Sequence, residues 1–346
     1  MFNQAGFKSK IVVGKDNFLK KLKKDKNFSR VKINVAPYSR SVSIKNAIQS
    51  IFYTIKLFYN SVDDVLVLHT PIASFYGAIA RLFIKKSIVV FYCHGLVSYH
   101  GRGLKGLIIK ILEKFTFKKV DKVIFVSPSL QKFAIKNQYV EKSKVLPYKG
   151  SICGIEANKF IKKKRIKEPV IIGYLGRITS SKGIFDCFKV ADHLDELKID
   201  YKFIFAGEIE DSKLFKQQVI KNSKLKYVGF INDKKKFFNS IDILLIPSKR
   251  EGFGISALEA NSYSIPVIGY NIVGLKDAII NRKTGFLVKP IGNVKKIVKQ
   301  ILVYRNNPLL YQKHSLAAKK MALKKYERTK IIKEQINLFK KINDNH

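Results

Sequence analysis

The stretch from residue 241 to residue 261, IDILLIPSKREGFGISALEAN, restricts the fold of this chain more than any other part of the sequence. Residues 241–246 are mostly apolar and β-branched and are followed by Pro247, which predicts a short buried strand. Residues 251–254 predict a turn, because their two glycines allow positive φ and let the backbone approach a ligand closely. Residues 255–261 predict the start of a helix, so the stretch predicts a strand, a glycine turn and a helix in succession.

Two carboxylates and a helix N-terminus meet in this predicted unit. Glu251 is on the turn and Glu259 is one turn into the helix, whose unpaired amide groups suit a phosphate. A carboxylate beside a phosphate site makes sense when it accepts hydrogen bonds from sugar hydroxyls, since a diol matches its two oxygens. The alternative is a surface turn with both glutamates in solvent, and this stretch alone leaves both interpretations open.

The charge of the chain is extreme: 67 Lys and Arg stand against 25 Asp and Glu, a net charge of +42 over 346 residues. The length predicts two domains. A strongly positive field favours anionic partners such as nucleic acid, phosphate-bearing substrates or an anionic membrane face. A lysine-rich composition without functional meaning is the alternative.

The cysteines and the N-terminus bear on the compartment. Cys93, Cys153 and Cys187 are far apart and show no metal-site spacing, which predicts a reducing environment. The first ten residues lack an apolar core of signal-peptide length, and no window approaches the 18 apolar residues of a membrane span. We therefore expect a cytoplasmic protein that is soluble or peripheral.

Short apolar strands alternate with helical segments along the chain. Predicted strands lie at residues 11–14, 31–36, 65–68, 87–92, 123–126, 170–175, 203–205, 228–230, 241–246, 267–270 and 285–288. Helices are predicted between them, among others at residues 17–24, 43–59, 72–83, 103–117, 234–239 and, at the end of the chain, 326–342. Because such strands lack a polar face, the pattern predicts an α/β protein with parallel sheets covered on both sides.

A break in this alternation predicts the domain boundary. Residues 149–154 carry glycines and residues 162–167 form a basic run, which together predict an interdomain linker, with a nucleic-acid patch as the alternative. The predicted domains are residues 1–160 and 161–325, followed by a terminal helix at 326–346.

Two cations flank the loop after the predicted strand at 170–175. Arg177 and Lys182 would lie at the carboxyl end of that strand, where ligands of parallel sheets bind. Together they suit a diphosphate clamp that stabilises the charge on a leaving nucleoside diphosphate. A surface loop of a lysine-rich protein is the alternative.

Two histidines also follow predicted strands. His94 precedes a glycine and suits contact with a substrate hydroxyl or acid–base chemistry; a packed histidine is the alternative. His69 precedes Thr70 and Pro71, and we expect it to shape the strand exit without a chemical role.

Several motifs are absent from the sequence. There is no Asp-x-Asp pair, which argues against a carboxylate-held Mg²⁺ or Mn²⁺ at the leaving phosphate. There is also no phosphate-binding P-loop motif and no Gly-x-Ser-x-Gly elbow. The sequence therefore leaves charge stabilisation to basic side chains and helix amides.

Two predicted helices, 43–59 and 103–119, combine apolar and cationic residues. In the second, the predicted apolar face is Leu107, Ile108, Ile111, Leu112 and Phe115. Its cations include three lysines that we predict to face a membrane: Lys105, Lys110 and Lys114. Such a helix either covers a sheet or lies at an anionic membrane surface, and the excess of lysine makes the second plausible.

The motifs together resemble a known family. Gly-Arg-x4-Lys-Gly at 176–183 and Glu-Gly-Phe-Gly-x4-Glu at 251–259 resemble the retaining GT-B glycosyltransferases of family 4. Pieces at 69–71, 94–95, 126–129 and 150–156 are similar to the branch that builds bacterial capsule, O-antigen and lipid-linked oligosaccharides. A departure from the family pattern is the short region after Gly14, which predicts an acceptor-side wall that is either trimmed or differently built.

The resemblance implies a fold and a reaction. The fold would be two Rossmann-like domains facing across a cleft, with the last helix crossing back to the first. The donor would be a nucleotide-diphosphate sugar, usually a UDP-sugar, and the acceptor a polyprenyl-diphosphate-linked or other glycan. Transfer would retain the anomeric configuration without a metal or other cofactor. The basic charge fits the anionic inner face of the cell membrane, where we expect the protein to be peripheral, and we expect no nucleic-acid partner.

The resemblance also assigns roles by motif match. Arg177 and Lys182 hold the diphosphate. Glu251 contacts the donor-sugar hydroxyls, Glu259 contacts the ribose and His94 lies beside the donor sugar. The implied catalytic residues are Glu251, His94, Arg177 and Lys182. The implied donor-binding set also includes Gly252, Phe253, Gly254 and Ile255.

Two other hypotheses stay open beside the enzyme. The net charge alone suggests a basic nucleic-acid-binding protein, but no aromatic and basic recognition module accompanies it. The second hypothesis is a catalytically degenerate subunit with the glycosyltransferase fold. The four intact motif residues argue against it.

Overall fold

The computed structural model describes residues 6–14, 19, 31–38, 43–61, 65–101, 103–151, 153–156, 166–210 and 212–344. Its strands are β1 (Lys10–Gly14), β2 (Lys32–Ala36), β3 (Val65–Leu68), β4 (Ile88–Cys93), β5 (Lys122–Phe125), β6 (Val170–Leu175), β7 (Tyr201–Ala206), β8 (Leu225–Tyr227), β9 (Ile243–Ile246), β10 (Val267–Tyr270) and β11 (Gly285–Val288). The helices are α1 (Ile44–Tyr59), α2 (Pro71–Ala80), α3 (Gly103–Lys119), α4 (Pro128–Lys136), α5 (Ile184–Glu196), α6 (Ser212–Lys221), α7 (Lys234–Ser240), α8 (Ile255–Ser262), α9 (Leu275–Ala278), α10 (Val294–Asn306), α11 (Pro308–Tyr326) and α12 (Arg328–Asp344).

The chain forms two compact units. The first consists of Met1–Val126, Gln131–Lys149 and Ile332–His346, and the second of Ser127–Leu130 and Gly150–Ile331. The predicted helix at 17–24, apart from residue 19, and most of the predicted linker lie outside the described residues.

The first unit contains parallel strands only, among its described residues. β3, β4 and β5 form a three-stranded sheet, and β1 pairs with β2 in a separate two-stranded sheet. β4 is buried along nearly its whole length, as expected for a central strand covered on both faces. Helix α2 packs against both α1 and α3.

Helix α1 leaves some of its large apolar side chains exposed. Phe58 is buried, but Ile48 and Phe52 are exposed, and Ser50 and Thr54 are buried instead. The hydroxyl groups of these two polar residues are satisfied locally, because each donates to a backbone carbonyl. Small hydrogen-bonded residues therefore form the inner face of α1.

Helix α3 exposes four of the five residues of its predicted apolar face, whereas the fifth, Phe115, is half-buried against Phe75. Leu107 is 54% exposed and Ile111 57%, while Gly106, Thr116 and Phe117 are the buried positions. Gly106 lies against Gly101, where an added Cβ would come within 2.4 Å of the Gly101 backbone. These apolar side chains therefore do not cover the sheet. No helix among the described residues is both long and apolar enough to cross a membrane.

The second unit is built on a six-stranded parallel sheet in the order β11-β10-β9-β6-β7-β8. Every residue of β9 is buried, and so is every residue of β10. Helices α5 and α10 contact each other, and so do α8 and α11. The α/β class with parallel sheets predicted from the sequence is thereby confirmed.

One predicted strand is wrong. The strand that precedes α7 is Leu225–Tyr227 rather than residues 228–230. Gly229 has φ 76°, which is outside the strand region. The extended stretch ends before this glycine because Leu225–Tyr227 pairs with Phe203–Phe205 of β7.

Candidate active site

The chain leaves the sheet of the second unit after β9 and turns into helix α8. A buried carboxylate fixes the beginning of this strand, since Asp242 Oδ2 accepts the amide of Ile171 on β6 at 2.9 Å. After Pro247 the chain forms the predicted turn. Gly254 ends that turn at φ 83°, in the left-handed conformation that favours glycine, while Gly252 is not among the residues with positive φ. The strand, turn and helix predicted here are confirmed.

The loop after β6 packs directly on this turn. Gly183 has φ 77°, and a Cβ at this position would lie 2.0 Å from the carbonyl oxygen of Pro247. The amide of Lys249 donates to the carbonyl of Ser181 at 3.1 Å, which joins the two segments by a backbone hydrogen bond. The close approach explains why a glycine follows Lys182 in the sequence.

Local hydrogen bonds shape the loop itself. The hydroxyl of Tyr174 donates to the carbonyl of Arg177 at 2.7 Å, and burial raises the pKa of Tyr174, which keeps the donor proton in place. The Thr179 hydroxyl accepts the amide of Lys182 and caps the short 3₁₀ turn Ser180–Lys182. The loop thus carries Arg177 and Lys182 on a fixed backbone.

The two sequence motifs meet in an ion pair. Lys182 Nζ lies 2.7 Å from Glu251 Oε1, and the side chains are 22% and 14% exposed. Lys182, Glu251 and Gly254 line a small open pocket of the second unit. The remaining lining residues are Tyr174, Leu175, Gly176, Leu245, Ile246, Ser248 and Ser256. This pocket brings an ammonium group, a carboxylate and a helix N-terminus together, so it suits an anion that is linked to a hydroxyl-bearing group.

Arg177 does not line this pocket. Its guanidinium lies 2.8 Å from Glu210 Oε1, and the two side chains are 52% and 44% exposed. The predicted pairing of Arg177 and Lys182 as a clamp on one ligand stays a prediction.

Glu259 forms a separate ion pair. Lys234 Nζ, at the beginning of α7, lies 2.6 Å from Glu259 Oε1. The second carboxylate oxygen, Oε2, is buried without a hydrogen-bond partner. Glu259 therefore holds one engaged and one unengaged acceptor.

The remaining predicted donor residues lie at the start of α8. Ile255 is the first residue of the helix, after Gly254. The Phe253 side chain is buried and meets the ring of Tyr326 edge-on, with centroids 5.1 Å apart. Phe253 therefore anchors the turn through its side chain, while the contacts predicted for the backbone amides stay a prediction.

His94 belongs to the first unit, directly after β4. One of its ring nitrogens, Nε2, lies 3.1 Å from Nδ1 of His69. The ring of Tyr92 stacks on both histidines, with centroids 5.3 and 5.5 Å away. The Tyr92 hydroxyl in turn accepts a hydrogen bond from Gln335 at 3.0 Å. His69, for which we predicted no chemistry, is the hydrogen-bond partner of His94.

Both histidines favour the neutral state. Desolvation of its ring lowers the pKa of His69 to about 4, and the neighbouring His94 contributes to this. Burial lowers the pKa of His94 as well. The pair therefore exchanges a hydrogen bond between uncharged rings at neutral pH.

The sequence did not predict several residues of these clusters: Tyr174, Glu210, Lys234, Ser248, Ser256 and His69. Lys234 stands in a run of three lysines, a pattern that is typical of a solvent-exposed surface and does not indicate a site. Ser256 was identifiable in principle, because the second position of the helix follows from the predicted helix start.

Comparisons with known proteins cover most of the chain. The model of "Glycosyl transferases group 1" matches residues 156–321, and that of "Glycosyltransferase Family 4" matches residues 3–147.

Curated relatives are similar at low identity. The chain is 26% identical over 283 residues to the capsular polysaccharide biosynthesis glycosyltransferase CapM of Staphylococcus aureus, covering 78% of this chain and 74% of CapM. It is also 26% identical over 269 residues to the UDP-Gal:alpha-D-GlcNAc-diphosphoundecaprenol alpha-1,3-galactosyltransferase of Escherichia coli, covering 72% and 68%.

Solved structures share the fold. Anabaena HepE in complex with UDP and glucose has a TM-score of 0.75 at 15% identity, covering 95% of this chain and 91% of HepE. A TarM variant from S. aureus has a TM-score of 0.68 at 20% identity and covers 85% of this chain, which spans 59% of that longer protein.

Proposed function

Because this chain belongs to the group 1 glycosyltransferases, family 4, we propose that it transfers a sugar from a UDP-sugar donor to a lipid-linked glycan acceptor. Its GT-B fold and its class, a glycosyltransferase of EC 2.4, are the premise. The donor and acceptor in this proposal follow what the names of similar proteins state of those proteins. A role in bacterial surface polysaccharide synthesis is proposed on the same ground.

The observation that carries the proposal is the contact between the two second-half motifs. Lys182 and Glu251 are 69 positions apart in the sequence, yet they form a 2.7 Å ion pair in one pocket at the start of α8. In the proposal, Lys182 and the amides that begin α8 bind the diphosphate, and Glu251 accepts hydrogen bonds from the donor-sugar hydroxyls. Arg177 adds positive charge at the same loop.

In the proposed reaction the leaving phosphate, and not a protein side chain, accepts the proton of the acceptor hydroxyl. The oxygen of an acceptor hydroxyl bonds to the anomeric carbon, and the bond from that carbon to the β-phosphate oxygen breaks on the same face. The hydroxyl proton passes to the leaving phosphate, so the products are a glycosylated acceptor and UDP. Lys182 and Arg177 would stabilise the charge that grows on this phosphate. In this proposal His94 contacts the donor sugar during transfer.

The proposal also includes a membrane surface on the first unit. Five apolar side chains of α3 are exposed: Leu104, Leu107, Ile108, Ile111 and Leu112. Lys105 is exposed on the same helix and Lys114 is half-buried, whereas Lys110 lies 5.7 Å from the ring centroid of Tyr139. Exposed apolar side chains together with lysines are typical of a helix that lies on an anionic membrane. An inner-face location near a lipid-linked acceptor would follow.

The first test is a thermal-shift screen of nucleotides and nucleotide sugars, each with and without Mg²⁺. Saturation at about 100 times Kd adds roughly 2.7 kcal/mol to the free energy of unfolding, which is several degrees in Tm. Stabilisation by UDP or one UDP-sugar, independent of metal, would support the proposal. No response to any nucleotide, together with salt-sensitive binding to RNA or DNA, would refute it in favour of a nucleic-acid-binding protein.

Substitution then tests the site. Glu251→Ala and Arg177→Ala should abolish transfer while the far-UV circular dichroism is unchanged. Glu196→Ala is the matched control, because its side chain is exposed at the end of α5. Near-normal transfer by either of the first two variants would show that the site is assigned wrongly.

A further inference from the structure

The ion pair between Lys234 and Glu259 joins two short helices of the second unit. Lys234 is the first residue of α7, and its ammonium lies 2.6 Å from Oε1 of Glu259 on α8. The side chain of Asp233 caps α7 by accepting the amide of Lys235, which fixes the helix start. The ammonium is therefore held at a defined place beside the carboxylate.

The carboxylate of Glu259 is only half satisfied. Oε2 is buried and has no hydrogen-bond partner. An ionised carboxylate can only accept hydrogen bonds, so this oxygen can be satisfied only by an O–H or N–H donor. A buried acceptor without a donor is disfavoured in a folded protein unless a ligand or water supplies one.

Another cation of the second unit, Arg328, is paired with a different carboxylate, because it lies 2.6 Å from Glu156. Glu259, Arg328 and Lys234 all contribute to the pKa of the Cys153 thiol. With Arg328 bound to Glu156, the anchor of the Glu259 carboxylate is Lys234. Lys234 therefore anchors one oxygen of the Glu259 carboxylate, and Oε2 is left as an acceptor without a donor.

We propose that Lys234 is a positioning residue that holds Oε1 of Glu259 and thereby presents Oε2 to a hydroxyl of the nucleotide ribose. This inference rests on the proposed function, because it takes the ligand to be a nucleoside diphosphate. What it adds to that function is the residue that orients Glu259 and the part of the nucleotide, the ribose diol, that Oε2 would bind. A deoxyribose would leave Oε2 unpaired, and a site built to bind a hydroxyl rejects the analogue that lacks it.

The test compares ribose discrimination rather than affinity alone. Isothermal titration of UDP, 2′-deoxy-UDP and 3′-deoxy-UDP would be carried out on the wild-type protein and on Lys234→Met, which keeps most of the unbranched side chain but removes the ammonium. We expect the wild type to prefer UDP over at least one deoxy analogue by about tenfold or more, and Lys234→Met to lose this preference. Lys236→Met is the matched control, because Lys236 is exposed on the same helix and its loss changes the net charge equally.

The outcomes are distinct. If Lys234→Met weakens UDP and both analogues equally, or keeps the wild-type preference, the positioning role is overturned while the proposed function stands. A wild type that binds UDP and both analogues alike overturns it too. If no nucleotide binds the wild type, the proposed function itself fails. Lys234→Arg, which retains a cation, should keep most of the preference, and Lys234→Gln replaces Lys234→Met if that variant does not fold.

Discussion

The ammonium of Lys182 lies 2.7 Å from the carboxylate of Glu251. The loop after β6 and the turn after β9 are thereby joined by side chains as well as by backbone. Since both groups are charged and mostly buried, each keeps the other from being a buried charge without a partner.

Removal of one partner of this pair should destabilise the second unit. Lys182→Met leaves the mostly buried Glu251 carboxylate unpaired, and we expect a loss of about 2 kcal/mol in the free energy of unfolding. Glu251→Gln should cost a similar amount, and the double variant should cost less than the sum. Urea unfolding measures this cycle. Lys189→Met, at an exposed position of α5, is the control, and additive costs would contradict the coupling.

The exposed pair of Arg177 and Glu210 should behave differently. Glu210→Gln should change stability by less than about 1 kcal/mol, because exposed ion pairs contribute little. It should tighten UDP binding by up to roughly fivefold at low salt, since Arg177 is released. Titration of UDP at two salt concentrations measures this. Glu208→Gln removes the same charge from a neighbouring exposed position, and an equal effect there would mean that the gain is not specific to Arg177.

Acid should destabilise the first unit through His69. Its pKa in the folded state is about 4, below the ordinary value near 6.5. The unfolded chain therefore takes up a proton first, and the free energy of unfolding should fall as pH decreases from about 6.5 towards 4. His69→Gln should reduce this slope between pH 7 and 5. Urea unfolding at several pH values measures it, and identical slopes would refute the shift.

The membrane surface can be tested by charge reversal. Changing Lys105, Lys110 and Lys114 to Glu should weaken binding to phosphatidylserine vesicles by roughly a hundredfold or more, because each lysine near an anionic surface contributes about 1 kcal/mol. Vesicle co-sedimentation measures the binding. The matched control reverses three exposed lysines of α10: Lys295, Lys296 and Lys299. Unchanged binding of the α3 variant would remove the interfacial role.

Cys153 provides a native reporter beside Glu259. It is exposed, whereas Cys93 and Cys187 are buried, so one thiol per folded chain should react with iodoacetamide. Partial desolvation of its thiol raises the pKa of Cys153, and its alkylation rate should therefore still increase above pH 9. Lys234→Met should slow alkylation at pH 8, because the thiolate loses a nearby positive charge. Mass spectrometry follows the rate, and three modified thiols in the native protein would contradict the burial of the other two.

Much of the second unit could be predicted from local patterns. β6, β10 and β11 have the predicted bounds, because short apolar runs between glycines and prolines specify buried strands. The bounds of the strand before α7 could not be predicted in this way, since Val228 and Phe230 favour a strand as strongly as Leu225 does. Pairing with β7, which the local sequence does not show, decides which residues are extended.

Some residues of the candidate site could likewise be predicted from local patterns and others could not. Lys182 and Glu251 were identifiable because each belongs to a motif with a fixed spacing. Glu210 and Lys234 were not, because each is an ordinary surface residue until the fold brings a partner within 3 Å. The inner face of α1 also escaped prediction, since hydrogen bonds within the fold make Ser50 and Thr54 suitable for burial.

The fit of Gly183 against Pro247 has a consequence for engineering. The contact leaves no room for a methyl group between two loops that are 64 positions apart. A chimera that takes one of these loops from a relative and keeps the other would bring together two loops whose shapes do not fit each other. Donor specificity should therefore be exchanged between relatives by grafting both loops at once, and loss of activity in a single-loop graft would reflect steric mismatch rather than chemistry.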